Sequence, residues 1–385
     1  MLRKFKCLLL LAVCVCSALL LTGCWDDAEI NGRAFVLGFG ADSENDGYRF
    51  TFQLAIPVSG ESESSGSISY ADLTVNEITP AAAVRRLEKN LGREINFEQL
   101  SLIVIGESLS RESFVGLTDY FFRRASVRRQ SCIAVCEGSA EDFFSSSATD
   151  KAVAIDAAST LQSYDAGSGN VSMDLFSLYK KLINRDGFFL PVISRLPAKT
   201  DGASEEGSEK SVLRISGASA YGQSGDYRGA LSEDELELLR LTCGSGTGGA
   251  LAVYDEFGNR YCCQVRESDC SVKCRIVGDK PEFRLQLELV LVPLDAGGID
   301  GGGYTASSIR HISRSAERTL KTRLDQLSEK SRGILGISLA GLQDIARQRQ
   351  PDWYRAHGDD WENVFQRSDI IITVHCTAAG GGITK

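Results

Sequence analysis

The amino terminus, MLRKFKCLLLLAVCVCSALLLTGCWDD, decides in which compartment the rest of the chain must fold. Arg3, Lys4 and Lys6 precede an apolar run from Cys7 to Leu21 that only Ser17 interrupts. The run falls short of the roughly 18 residues that cross a bilayer as a helix, and it ends in small residues, the build of an export signal. Leu21-Thr22-Gly23-Cys24 follows the lipobox pattern, in which the cysteine receives a thioether-linked diacylglycerol before cleavage in front of it. An uncleaved anchor, or an ordinary signal with a chance cysteine, is the plainer alternative; the small residues nevertheless stand where a signal peptidase needs them. Two acyl chains supply the two hydrophobic signals that stable anchoring requires, at about 0.8 kcal/mol per buried CH₂. The expectation is a signal over residues 1–23, lipidation at Cys24, and a folded body on the outer face of a membrane.

Charge would not hold that body there. The 385 residues carry 42 Lys+Arg against 51 Asp+Glu, a net of -9. Loss of Arg3, Lys4 and Lys6 with the signal leaves 39 against 51, a net of -12. An acidic chain is repelled by anionic headgroups, so charge alone would not hold it on a membrane, and the balance argues against nucleic acid as the main partner because phosphate binding needs a concentrated basic surface. The length exceeds one ordinary core, and 43% apolar with 24% charged residues is the balance of a folded protein rather than a disordered or polytopic one.

Arg33 to Ala41 and the alternating run from Tyr48 to Ile56 flank Asn45-Asp46-Gly47, which predicts a β-hairpin. Ser59 to Ser69 reads as a loop. Thr79-Pro80 opens a helix carrying Val84, Leu87 and Leu91, with Gly92 as its stop. Leu102 to Ile105 and Ile133 to Cys136 read as buried strands with a helix around Phe114 to Phe122 between them, and Ser172 is the expected cap of a helix through Ile183. Residues 199–210 (KTDGASEEGSEK) are a linker or a surface loop, dividing 24–198 from 211–385. Beyond them come a strand over Val212 to Tyr221, a helix opened by the capping box Ser232/Glu235, and several strands between Leu251 and Val292. Ile309, Ile312, Ala316, Leu320, Leu324 and Leu327 form one stripe of a helix from Ser307 to Lys330, and Ile370 to His375 is a last strand. Helices and strands mix without regular βαβ alternation, so the fold class is α+β, multi-domain, with mixed or antiparallel sheets packed with helices.

No catalytic pattern emerges, so no catalytic, cofactor or metal residue is assigned. Gly244-Ser245-Gly246-Thr247-Gly248-Gly249 satisfies GxGxxG, but a helix precedes it and a strand follows, the reverse of a dinucleotide site. His311, His357 and His375 are scattered; His357, between Trp353 and Trp361, suits a surface or capping role better than a pocket. Cys132 and Cys136 on one strand stand ~13 Å apart, too far to bridge. Cys262, Cys263, Cys270 and Cys274 fall in an expected hairpin. A turn centred on Ser268 would set Cys262 opposite Cys274, and a turn at Arg266-Glu267 would set Cys263 opposite Cys270. Disulfides, free thiols and a metal site remain open for these residues and for Cys243 and Cys376, although CC-x6-C-x3-C is not a standard zinc ribbon.

Several segments, in order, resemble the Ger(x)C lipoproteins, the C subunits of spore germinant receptors. They are the lipobox with Trp25-Asp26, FVLGFGAD…YRFTFQLAIP, LGREINFEQLSLIVIGESLS, Leu190-Pro191-Val192, ISGASAYGQSGDYRGALSEDELELLRL, and PDWYRAHGDDWENVF with Trp353, Trp361 and Phe365, closing on Gly380 to Gly382. Near Gly336 to Gly341 the family's turn glycines are present, but an Asp expected there is not aligned. The resemblance implies a non-catalytic subunit working with two multi-span partners, the A and B type subunits, on the inner membrane of the dormant spore. It implies a response to small nutrients, commonly amino acids or sugars, that triggers ion and dipicolinate release. A free-standing solute-binding envelope lipoprotein is the alternative from another class, and an envelope metalloenzyme built on the cysteine cluster a third.

Overall fold

Strand β1 (Arg33–Glu44) turns through Asn45-Asp46 into β2 (Gly47–Pro57), with Glu44 opposite Gly47, as the Asn-Asp-Gly signal predicts. Strand β3 (Ile68–Glu77) lies outside β2. On the other side of β1 run β4 (Glu94–Asn96) and β5 (Leu102–Ile105), then β6 (Cys132–Cys136) and β7 (Phe188–Pro197), all parallel to their neighbours. Strands β8 (Ser211–Tyr221) and β9 (Tyr227–Ser232) complete the sheet antiparallel. The nine strands run β3-β2-β1-β5-β6-β7-β8-β9, with β4 beside the start of β1. Pro197 stands opposite Ser211, so this sheet passes from one half of the chain into the other.

The structure is a computed structural model that describes residues 32–57, 68–145, 152–165, 174–197, 211–243, 249–255, 259–294 and 306–379. Cys24 and its lipobox, most of the loop at 59–69, Ser172, residues 199–210, Gly244 to Gly248 and Gly380 to Gly382 lie outside them.

Helices cover both faces of the nine-stranded sheet. Helix α1 (Pro80–Leu91) begins as read: the Thr79 hydroxyl accepts the Ala82 N–H at 3.2 Å, and Gly92 ends it at φ 64°. It shares a core with α3 (Val115–Phe122) and α6 (Leu175–Ile183), built on Phe39, Ile103, Ile105, Ile133 and Val135. The short α2 (Glu107–Arg111) follows β5. The alternate residues of the same strands, Leu102, Val104, Cys132, Ala134 and Cys136, pack with α4 (Ala140–Ser145) and α5 (Val153–Asp165) on the other face. Burial on both faces explains why LIVI and CIAVC are apolar without alternation. The cap of α6 is Asp174, not Ser172: its carboxylate accepts the Ser177 N–H at 2.6 Å, two residues further on than expected.

The rest of the chain forms a four-stranded sheet, β10 (Ala250–Tyr254), β11 (Arg260–Val277), β12 (Lys280–Pro293) and β13 (Asp369–Ala378), in that order. Here β12 alternates strictly: Phe283, Leu285, Leu287, Leu289 and Leu291 are buried, while Arg284, Gln286 and Glu288 face out. Helix α7 (Glu233–Thr242) opens with both arms of the Ser232/Glu235 capping box formed. Helix α8 (Ala306–Lys330) buries Ile312, Ala316, Leu320, Leu324 and Leu327, with Ile309 only half-buried, and ends through a π turn at Gly336. Helices α9 (Leu342–Arg349), α10 (Pro351–His357) and α11 (Trp361–Arg367) close the sheet with buried Trp361 and Phe365. The α+β class with mixed sheets is the architecture observed.

One expectation fails here. No hairpin turn divides Cys262 from Cys274, because residues 260–277 are a single strand that only bulges between Val265 and Glu267. The turn is Gly278-Asp279, where Gly278 takes φ 64°, a conformation glycine adopts without steric cost. Cys270 therefore stands opposite Leu287, and Cys274 opposite Phe283, rather than opposite other cysteines.

Candidate functional site

Polar groups concentrate where the two halves of the chain meet. The turn after α6 carries Asp186, whose side chain is 3% exposed. Arg347 on α9 donates from Nη2 to Asp186 Oδ1 at 2.8 Å and from Nη1 to Asp344 Oδ1 at 2.9 Å. Lys181 lies between the same two carboxylates, 3.6 Å from Asp186 Oδ2 and 3.4 Å from Asp344 Oδ2. The Tyr354 hydroxyl accepts from Gln343 Nε2 at 3.0 Å, and the Arg347 guanidinium lies 5.2 Å from its ring centroid. Burial pushes the Asp186 carboxyl above its ordinary value, while Lys181 and Arg347 pull it back. Two carboxylates and two cations thus tie residues some 160 positions apart.

Further ties repeat the pattern. Arg228 on β9 holds Glu362 on α11 through two parallel bonds of 2.8 and 2.9 Å. Arg240 pairs with Glu237 and stacks over Tyr164, whose hydroxyl donates to Glu237 Oε1 at 2.9 Å. This seam is closed and structural in character. No group of three or more potential metal ligands occurs among the described residues.

A second feature is open. A cleft of about 270 Å³ lies between the end of α3 and α6, lined by Phe121, Phe122, Arg124, Arg128, Phe176 and Tyr179 among others. The Arg124 guanidinium covers the rings of Phe97 and Tyr120 at 5.3 and 4.9 Å, and Arg129 and Lys180 approach the Phe176 ring at 5.8 and 4.9 Å.

The residues singled out from sequence do not converge. His357 ends α10, with Nδ1 2.9 Å from the Trp353 carbonyl and its ring stacked on Trp353 at 4.6 Å. His311 Nε2 lies 3.3 Å from Asp255 Oδ2 at the other end of the second sheet. His375 is exposed on β13. Cys136, Cys270, Cys274 and Cys376 are free thiols, and burial pushes them up, Cys270 and Cys376 to about 12 and Cys274 to about 11. Thiols held protonated in this way are poor nucleophiles and poor metal ligands. Sequence reasoning missed the seam because its partners are far apart in the chain, and it missed the cleft although FFRRASVRRQ carries four arginines in seven positions.

Comparison with known proteins defines the class. Residues 26–195 match the family model of the spore germination protein N-terminal domain, and residues 216–382 match that of the spore germination B3/GerAC-like C-terminal domain. Spore germination protein B3 of Bacillus subtilis (strain 168) is 23% identical over 362 residues, covering 91% of this chain and 92% of that protein. The putative spore germination protein YfkR of the same organism is 31% identical over 145 residues, 36% of this chain and 37% of that protein. The crystal structure of the GerBC protein superposes with a TM-score of 0.59 at 19% identity, covering 89% of this chain and 97% of that one, and so shares the fold. These are proteins of spore germination. The chain belongs to the Ger(x)C family, and its role is in spore germination.

Proposed function

We propose that this protein is the lipid-anchored, non-catalytic subunit of a nutrient germinant receptor, held by acyl chains on Cys24 at the outer face of the spore inner membrane. It acts there through contacts with membrane-embedded A and B type subunits. The observation that carries the reading is the joining of two things in one chain: a lipobox ending at Cys24, and family matches over both halves of the chain beyond it. No helix among the described residues is long and apolar enough to cross a membrane, so a membrane role in this reading falls to the acyl chains. Residues 24–198 and 211–385 serve as N- and C-terminal domains that the charged seam and the shared sheet hold as one body.

Several measurements test it. Mass spectrometry of the amino-terminal peptide should find diacylglycerol on Cys24, and Cys24→Ala should release the protein from membranes. Pull-down of the acylated protein from spore membranes should bring multi-span receptor subunits with it. Deletion should abolish nutrient-triggered germination, and an unchanged response would refute the proposal. Calorimetric titration with amino acids and sugars separates it from a free-standing solute-binding lipoprotein, which should bind its ligand alone.

A further inference from the structure

The central strands of the first sheet are parallel, so they share a starting edge. Register places Gly38, Leu102 and Cys132 side by side, and Arg33 begins β1 five residues before that level. The open cleft stands at this edge. The segment with Arg124, Arg128 and Arg129 leads directly into β6, and Arg124 lies over Phe97, next to Asn96, which pairs with Phe35 near the start of β1. Helix α6 crosses the same edge: the Leu175 and Phe176 N–H groups bond the Ser131 and Arg129 carbonyls just before β6, and the chain leaving α6 enters β7 at Phe188.

What this edge shows to solvent differs from the rest of the molecule. Phe176 and Tyr179 are each 42% exposed and adjacent on the outer side of α6, whereas the other aromatic rings this open among the described residues, Tyr70 on β3 and Tyr254 on β10, stand singly on other elements. Arg124, Arg128, Arg129 and Lys180 surround them, and none of the four is ion-paired with a carboxylate among the described residues; Arg128 instead donates to Gln99 at 3.0 Å. Arg123 nearby is taken by Asp119, and Lys181 by the seam. An unneutralised basic cluster around exposed aromatic rings, on a chain of net charge -9 over its full length, fits anionic headgroups over an acyl boundary.

The covalent chain supplies the second argument. Arg33 is the ninth residue after Cys24, so the two Cα atoms stand about 30 Å apart at most. If Cys24 is acylated, the starting edge is the part of the sheet held within that reach of the bilayer.

We propose that this edge lies on an anionic lipid surface, with Arg124, Arg128, Arg129 and Lys180 against the headgroups and Phe176 and Tyr179 at the acyl boundary. The idea rests on the lipoprotein reading for its orientation, and its test is independent of acylation. The chain from residue 24 with Cys24→Ala, which carries no acyl group, is sedimented with vesicles of phosphatidylglycerol mixed with phosphatidylcholine, and with vesicles of phosphatidylcholine alone. Salt-sensitive binding to the anionic vesicles only is the expected result. The triple variant Arg128→Gln/Arg129→Gln/Lys180→Gln should weaken it on the order of a hundredfold, at roughly fivefold per charge. A control with the same loss of charge elsewhere, Arg266→Gln/Arg310→Gln/Lys321→Gln, should leave it within about twofold. Phe176→Ala should weaken binding further without changing its salt dependence. Equal binding to both vesicles, equal loss in the control variant, or no binding at all overturns the proposal; the last result would point to an acidic protein surface as the occupant. Mass spectrometry of Cys24 in the native protein decides the lipoprotein reading separately.

Discussion

The two sheets solve the same problem in opposite ways. The nine-stranded sheet is covered on both faces, so consecutive residues of β5 and β6 enter two different cores, Ile103 with Phe39 on one side and Val104 with Phe144 on the other. The four-stranded sheet is covered on one face by α8 and its neighbours, so β12 alternates between Leu and charged or amide residues. The core of the second sheet is continuous with one face of the first, through Phe189, Leu236, Leu239, Leu335 and Ile337. The first sheet thus serves as the central layer, and the second leaves a polar face, centred on Gln286, open to solvent or to another protein.

The sharpest form of this difference is a substitution at adjacent positions. Ile103→Ala should cost about 2–5 kcal/mol, and Val104→Ala next to it should fall in the upper part of the range for a lost Val side chain, because both are fully buried. In the second sheet, Leu287→Ala should cost about 2–5 kcal/mol as well. Urea unfolding followed by circular dichroism measures all three. Little loss at either Ile103 or Val104 would mean that one face of the first sheet is less tightly packed than its burial implies.

The seam that joins the sheets comes next in size. Arg347→Ala strands Asp186, leaving only Lys181 at 3.6 Å to face it, and should cost about 2 kcal/mol, the scale of a hydrogen bond to a charged group. The pH dependence has a definite sign. Burial raises the folded-state value of Asp186 above its unfolded one, so the folded state holds that proton more tightly. Stability from this group is then gained as pH falls through the raised value and lost as pH rises through it. Removing Arg347 widens the window, so the variant should lose more relative to the parent at pH 7 than at acidic pH. A loss independent of pH would assign the effect to packing on Tyr354 instead.

Local chemistry was legible wherever a motif closes within a few residues. The Asn45-Asp46-Gly47 turn, the Thr79-Pro80 start with its Gly92 stop, the Ser232/Glu235 box and the α8 stripe all form as read. The turn expected within residues 260–277 fails for a local reason too: cysteine spacing suggested it, while the stronger Gly278-Asp279 signal stood four residues past Cys274. Other features needed the third dimension. Nothing in the sequence says that Arg347 meets Asp186, or that β7 and β8 continue one sheet across residues 199–210. The arginines before β6 were visible, but their shared position with α6 and the start of β1 depends on the parallel register.

A smaller effect tests the junction of the two sheets. Ser232 ends β9 and caps α7, so the same residue closes the first sheet and launches the chain toward the second. Ser232→Ala removes the bond from the Glu235 N–H, 3.2 Å in the parent, and should cost about 1 kcal/mol. Ser232→Asp, which keeps an acceptor at the cap, should recover most of it in the same unfolding measurement.

The smallest effect decides whether the contrast between the sheets is real. Gln286 lies beside Leu287 on β12, with its side chain outward between Ser271 on β11 and Thr373 on β13. Its bond from Nε2 to Glu288 Oε1, at 2.9 Å, is exposed. On a one-faced sheet Gln286→Ala should change stability by no more than about 0.5 kcal/mol, against several for Leu287→Ala one residue away. A loss above about 1 kcal/mol would mean that this face is covered in solution and that the two sheets are alike after all. If the isolated protein shows the small value, the same substitution becomes informative in the receptor assembly proposed above. Loss of assembly there, without loss of stability here, would mark the polar face of the second sheet as a contact surface.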